Sequence, residues 1–178
     1  MAQFAVIDRY VKDGKTDIKI PTRATENSAG YDLYAADDIL VRSYSHIMED
    51  YKSYVADKIP YSLDDLKTIS KGTGLQPTLV PTGVAIQLEP DEYFSISVRS
   101  SLPLNDWVIV ANAPGVVDAD YYPNEIGVEL INLSPADIII HKGDKIAQGV
   151  ILKYNKVDGD NTTTKRTGGF GSTGGAQA

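Results

Sequence analysis

The chain contains no cysteine and only two histidines, His46 and His141, among 178 residues. Disulfides and thiolate catalysis are therefore excluded, and a histidine-rich zinc site lacks ligands. Positive charge is also scarce. There are 17 Lys and Arg against 24 Asp and Glu, a formal net charge of −7 and an isoelectric point near 4.7. Affinity for nucleic-acid backbones and anionic membranes comes largely from clustered Lys and Arg, so neither is an expected partner. Any anionic ligand must be held by a few placed donors, and a hard, oxygen-liganded cation such as Mg²⁺ stays open. The start, "MAQFAVIDRYVKDGK", has no basic segment followed by a long apolar run, and no apolar stretch nears membrane-spanning length. The expectation is a soluble protein of the cytoplasm.

What the chain does have is 42% hydrophobic residues over a length that suits one domain with one core. Short runs rich in Val, Ile and aromatics recur at 78–88, 92–100, 106–112, 126–132, 136–141 and 145–154, separated by Gly, Pro, Asn and Asp. Several alternate with period two. Without helices between them, such runs pair antiparallel, which predicts an all-β sandwich, jelly roll or small barrel. The segment 43–72 breaks the pattern. Ile47, Tyr51, Tyr54, Val55 and Ile59 follow helical spacing, with Ser45 as a start signal and Pro60 as a stop. Ser62 and Asp65 resemble a capping box opening a second short helix. The prediction is a helical hairpin inserted into a β-fold.

Chemistry-bearing residues collect in five stretches. "SAGYDLYAA" (28–36) places Asp32 after a turn, as a surface residue or a ligand to metal-bound water. "VRSSLP" (98–103) ends a strand with Arg99, a bidentate donor, followed by the hydroxyls of Ser100 and Ser101, a set that suits a phosphate. "GVVDADYYPNEIGVELIN" (115–132) sets Asp118 and Asp120 one residue apart, before Tyr121. In "HKGDKIAQGVI" (141–151), Gln148 is the one large polar residue in an apolar run, facing either solvent or a ligand. The tail has five glycines in the eight residues Gly168 to Gly175, together with Lys165, Arg166, Phe170, Ser172 and Thr173. Alone it has little apolar surface to offset its ordering entropy, but its composition suits closure over a phosphorylated, ring-bearing ligand.

Taken in order, these stretches resemble the five motifs of the trimeric dUTPase family: "AGYDLYAAD", "VRSSLP", "NAPGVVDADYYPNEIGVELIN", "GDKIAQGVI" and "RTGGFGSTG". The resemblance implies a distorted β-barrel or jelly roll over 1–164 and an arm over 165–178. It also implies a homotrimer whose sites are built from several chains, and Mg²⁺-dependent hydrolysis of dUTP to dUMP and pyrophosphate, which keeps uracil out of DNA. By match to the motifs, Asp118 would be the general base acting on water. Tyr121 would underlie the deoxyribose, and the loop from Asn112 through Gly115 and Val117 would bind uracil. Arg99, Ser100, Ser101 and Gln148 would orient phosphates and water, and Asp32 would hold Mg²⁺ through its water shell. Phe170 would stack on uracil, with Gly171, Ser172 and Thr173 near the phosphates. Either Lys165 or Arg166 would meet the γ-phosphate.

Three features depart from that family pattern. The arginine position of the fifth motif holds Lys165, with Arg166 one place later. "YYPNE" replaces a shorter, glycine-containing turn, and "RSSL" stands where Arg-Ser-Gly is usual. "RSSL" is similar to the dCTP deaminases, and Glu129, counted back from Asn132, falls where those relatives carry a catalytic glutamate. A deaminase or bifunctional enzyme is therefore one alternative. A regulatory module that binds a repressor through the 43–72 insertion, as in some phage relatives, is another.

Overall fold

This computed structural model describes residues 1–54, 76–166, 168 and 169. The second helix expected near 62–69, together with Val55, Ile59, Phe170, Gly171, Ser172 and Thr173, lies outside the described residues. Twelve strands appear among the described residues: β1 (Gln3–Val6), β2 (Thr22–Arg23), β3 (Tyr31–Tyr34), β4 (Ile39–Val41), β5 (Thr78–Pro81), β6 (Val84–Gln87), β7 (Glu92–Ser97), β8 (Val108–Val110), β9 (Gly115–Asp118), β10 (Gly127–Asn132), β11 (Ile138–Ile140) and β12 (Lys145–Lys153). Every ladder between them is antiparallel. The largest sheet has the order β2-β3-β12-β7-β9, and β5-β10-β8, β1-β6 and β11-β4 complete a jelly-roll type of fold.

Alternation in the strands divides each sheet into two faces. In the five-stranded sheet Leu33, Phe94, Ile96, Val117 and Ala147 point into the core, where they meet Val80, Ile86, Ile126, Val128 and Leu130. The opposite face carries Asp32, Tyr93, Ser95, Ser97, Val116, Asp118 and Gln148, linked in register through direct cross-strand pairs. A bulge between Lys145 and Ala147 sets this register, shifting β12 by one residue against β3. Gln148 therefore stands opposite Asp32, and Lys145 opposite Tyr34.

The run at 78–88 is divided in two at Thr82 and Gly83. Gly83 has a φ of +72°, and Thr82 turns its hydroxyl onto the Ile126 carbonyl at 2.6 Å. The run at 92–100 stops as a strand at Ser97, so Arg99 stands just beyond the strand end. A single π-helical turn, Leu102–Asp106, takes up the start of the 106–112 run. The inserted helix α1 (Tyr44–Tyr54) begins one residue earlier than its expected cap. Ser43, not Ser45, is the capping residue, because its Oγ accepts from the Ser45 N–H at 3.2 Å. Ser43 is fully buried and is held by the Asp137 carboxylate, which accepts its backbone N–H at 2.6 Å. Asn132 beside it donates to the Val41 and Ala136 carbonyls at 3.1 and 2.8 Å. This polar cluster fixes the root of the insertion to the β-fold.

Gly149 has no room for a side chain, since a Cβ there would stand 2.1 Å from the Phe94 ring. Gly149→Ala is expected to lower unfolding stability by about 1–3 kcal/mol through overpacking, read as a lower denaturant midpoint with an unchanged slope.

Candidate active site

Two polar clusters stand on the outer face of the large sheet. The first forms where β9 ends. Asp118 is the last residue of that strand, and Ala119–Tyr121 follow as a tight helical turn that lifts Tyr121 beside it. The Tyr121 hydroxyl donates to the Glu125 carbonyl at 3.1 Å, and Asn124 closes the turn by donating to the Tyr121 carbonyl at 2.6 Å. The Glu125 carboxylate accepts from the Gly83 N–H at 2.7 Å. The "YYPNE" stretch is thus tied down at both ends.

Behind Asp118 and Tyr121 lies a pocket of about 210 Å³ with apolar walls from Ile96, Val110, Val117, Ile126 and Val128. Asn112, Gly115 and Glu129 supply its polar lining. Asn112 donates to the carboxylate of half-exposed Glu129 at 3.4 Å, and both line the pocket.

Arg166 of the C-terminal arm closes the mouth. Its guanidinium pairs with Asp118, donates to Asp120 at 2.8 Å and lies 5.7 Å from the centre of the Tyr121 ring. It also donates to the Gly168 carbonyl at 3.3 Å. The hydrogen bond to Asp120, more than any other contact, raises the already high pKa of Arg166, and burial opposes it. Lys165 is exposed. Of the two basic residues left open by the sequence, Arg166 is therefore the one at the pocket. Asp120 is an anchor for that arginine. Gly169 packs on Tyr121 so closely that a Cβ would meet the ring at 2.5 Å.

The second cluster surrounds Asp32. This carboxylate is 6% exposed and forms ion pairs with Arg99 Nε at 3.0 Å and with Lys145 Nζ at 2.7 Å. Gln148 lies beside it and donates to the Val98 carbonyl at 3.3 Å. Gly30 leaves the space that Gln148 occupies, because a Cβ there would fall 2.7 Å from the amide oxygen. Arg99, Ser101 and Lys145 open onto a broad groove bordered by Trp107 and Ile139, and Ser100 is exposed at the turn between them. Lys145 carried no expectation from the sequence. Its position in "GDKIAQ" was visible, but the bulge that turns it toward Asp32 was not.

One chain does not bring the two clusters together. Asp118 pairs with Tyr93 and Gln148 with Ser97, four residues apart on β7 and on opposite flanks of it. At about 3.3 Å per residue and about 4.8 Å between strands, their backbones are roughly 16 Å apart.

The donor set also bears on a metal. Among the described residues no group of three or more His, Asp or Glu side chains could cage an ion. Each Asp32 oxygen is paired with a cation, and each has lone pairs to offer a water. This fits a Mg²⁺ that arrives on substrate phosphates and reaches Asp32 only through its water shell. No described helix is long and apolar enough to cross a membrane.

A jelly-roll protein whose sheet ends in a carboxylate-rimmed pocket, with a separate cationic cluster, fits the class of nucleotide hydrolases. Comparison with known proteins places it within that class. The dUTPase family model matches residues 61–174, which hold the second to fifth motifs. The chain is 32% identical over 178 residues to the deoxyuridine 5'-triphosphate nucleotidohydrolase of Lactococcus lactis subsp. lactis, covering 96% of each. It is 39% identical over 160 residues to the Rickettsia prowazekii enzyme of the same name, covering 87% of this chain and 88% of that one. Among solved structures it resembles the dUTPase from Streptococcus mutans, with a TM-score of 0.65, 24% identity and coverage of 88% and 98%. It also resembles the dUTPase of phage phi11 of S. aureus, described with a species-specific insert, at a TM-score of 0.62, 14% identity and coverage of 94% and 99%. The chain belongs to the dUTPase family. A repressor partner for the 43–72 segment finds no support here.

Burial pushes the Tyr121 hydroxyl above the usual tyrosine pKa, against the opposing charge of Arg166. The folded state then holds that proton more tightly than the unfolded chain, so its contribution to stability is present below about pH 10 and is lost as pH rises through the raised value. Thermal unfolding from pH 8 to 11 is expected to show a steeper loss in the wild type than in Tyr121→Phe.

Proposed function

We propose that this chain hydrolyses dUTP to dUMP and pyrophosphate in a site completed by two or more copies of itself. The observation that carries the reading is the pairing of Asp118 with Tyr121 at the mouth of an apolar pocket whose polar lining is Asn112 and Glu129. A pyrimidine fits its flat walls, with backbone groups of the 112–117 loop and the Asn112 amide available to its polar edge. A base edge left without its partner is costly, so such a pocket can discriminate strongly. Tyr121, fixed through its hydroxyl and Glu125, lies where a ring can support the deoxyribose and leave no space for a 2′-hydroxyl.

Asp118 is the general base in this proposal. Its carboxylate takes a proton from water as the water oxygen bonds to the α-phosphorus, and the bond from that phosphorus to the bridging oxygen breaks to release pyrophosphate. For this, Arg166 must leave Asp118. A triphosphate offers the guanidinium a richer set of oxygens than two carboxylates do. Arg166 thus covers the base while no nucleotide is bound and clamps phosphates when one is. Phe170, Gly171, Ser172 and Thr173 would follow it over the base and phosphates, which excludes water from the closed site.

Arg99, Ser100, Ser101 and Gln148 are assigned to the phosphates and the attacking water, with Asp32 beside them. Since these stand roughly 16 Å from Asp118 within one chain, the phosphate cluster of one copy is proposed to meet the pocket of another. Between the clusters, the outer sheet face carries exposed Val116 beside Ser95 and Val150, an uncharged surface suited to subunit contact. A homotrimer is the assembly this reading adopts. Mg²⁺ carried by the phosphates would neutralise their charge as pyrophosphate departs.

Glu129 in the pocket wall keeps cytosine deamination as the second reading. Chromatography of products from dUTP and dCTP, each with Mg²⁺, separates the two. dUMP and pyrophosphate from dUTP alone are expected, with kcat reduced roughly 10²–10⁴-fold in Asp118→Asn. Ammonia and a uracil nucleotide from dCTP would replace this reading and make Glu129 the residue to mutate.

A further inference from the structure

Lys145 is a cation with a defined place and no assigned task. It is 40% exposed, shares the groove with Arg99 and Ser101, and its ammonium forms an ion pair with the buried Asp32 at 2.7 Å. Arg99 meets the same carboxylate through Nε, which leaves the two terminal nitrogens of its fork for another partner. Two positive groups around one negative group give the cluster a net charge of +1 in a protein whose formal charge is −7. A buried carboxylate that binds two cations also holds them apart and aims them, so less freedom is lost when an anion arrives.

The bulge in β12 supplies an independent observation. With an unbroken register, positions 145 and 148 would lie on opposite faces, because side chains alternate along a strand. The one-residue shift between Lys145 and Ala147 puts both on the outer face, Lys145 opposite Tyr34 and Gln148 opposite Asp32. Bulges disrupt a ladder and are found where a side chain has to be re-aimed. Here the re-aimed residue is a lysine that now stands beside the proposed phosphate residues.

We propose that Lys145 is a second phosphate-binding cation, paired with Arg99 across Asp32, and that it receives the β- and γ-phosphates that leave as pyrophosphate. Asp32 is then a positioning residue for both cations. This inference rests on the dUTP-hydrolysis reading of the same site.

The test is calorimetric binding of α,β-imido-dUTP and, separately, of dUMP to the intact wild type, Lys145→Met and Lys145→Arg, together with KM and kcat for dUTP. Loss of one charge-assisted contact is expected to weaken the imido analogue roughly tenfold or more in Lys145→Met. KM should rise by a similar factor, dUMP affinity should be unchanged because dUMP lacks those phosphates, and Lys145→Arg should recover most of the loss. Equal weakening of dUMP and the analogue, or unchanged binding of both, would overturn the proposal in favour of a lysine that only supports the fold. If Lys145→Met does not fold, Lys145→Gln is judged by the same comparison. A wild type that neither binds the analogue nor hydrolyses dUTP removes the functional reading and this inference with it. An active wild type with normal Lys145→Met binding removes only the role of Lys145.

Discussion

A carboxylate buried away from water is stable as an anion only where cations or donors replace its hydration, and Asp32 meets that condition through Arg99 and Lys145. The pairing constrains much of the surrounding structure. It requires β3 and β12 to be adjacent, β12 to be shifted by one residue, and the chain after β7 to turn so that Arg99 reaches back over the sheet. The same shift sets Gln148 against Asp32, and Gly30 vacates the space its amide needs. One backbone irregularity therefore arranges four polar side chains on a sheet face whose reverse is the hydrophobic core.

Charge is handled differently at the other end of that face. Asp118 and Asp120 are close together and partly exposed, and repulsion between them is relieved by Arg166. That arginine pairs with both carboxylates and lies against the Tyr121 ring. In the proposed reaction this ion pair changes partners when a polyanion arrives, whereas the doubly paired, buried Asp32 stays in place.

The sheet also explains why the chain reads as one member of an assembly. Its two polar clusters share a face but are separated by the width of three strands and by four residues along β7. An uncharged stretch containing Val116, Ser95 and Val150 lies between them. In the proposed assembly, a second copy on this face would cover exposed apolar surface and bring one cluster toward the other.

Much of this was legible in the residues themselves. Runs rich in Val, Ile and aromatics marked β7, β10 and β12, and the five motif stretches named nearly every polar residue that the fold gathers. Strands such as β3 and β9 were missed as strands, since "YDLY" and "GVVD" are too short for their periodicity to stand out. Ser45 was taken for a cap because hydroxyl residues alternate there, and the buried contacts of Ser43 with Asp137 and Ser134 decide the matter. The sequence by itself determined the all-β architecture, the absence of thiol and histidine chemistry, and the types of side chain available to an anion. Tertiary structure alone decided that Arg166 rather than Lys165 reaches the pocket, that Glu129 meets Asn112 at its lining, and that Lys145 joins Arg99 on Asp32. Those outcomes depend on a register shift and on which distant segments touch, and neither leaves a local signal in the order of residues.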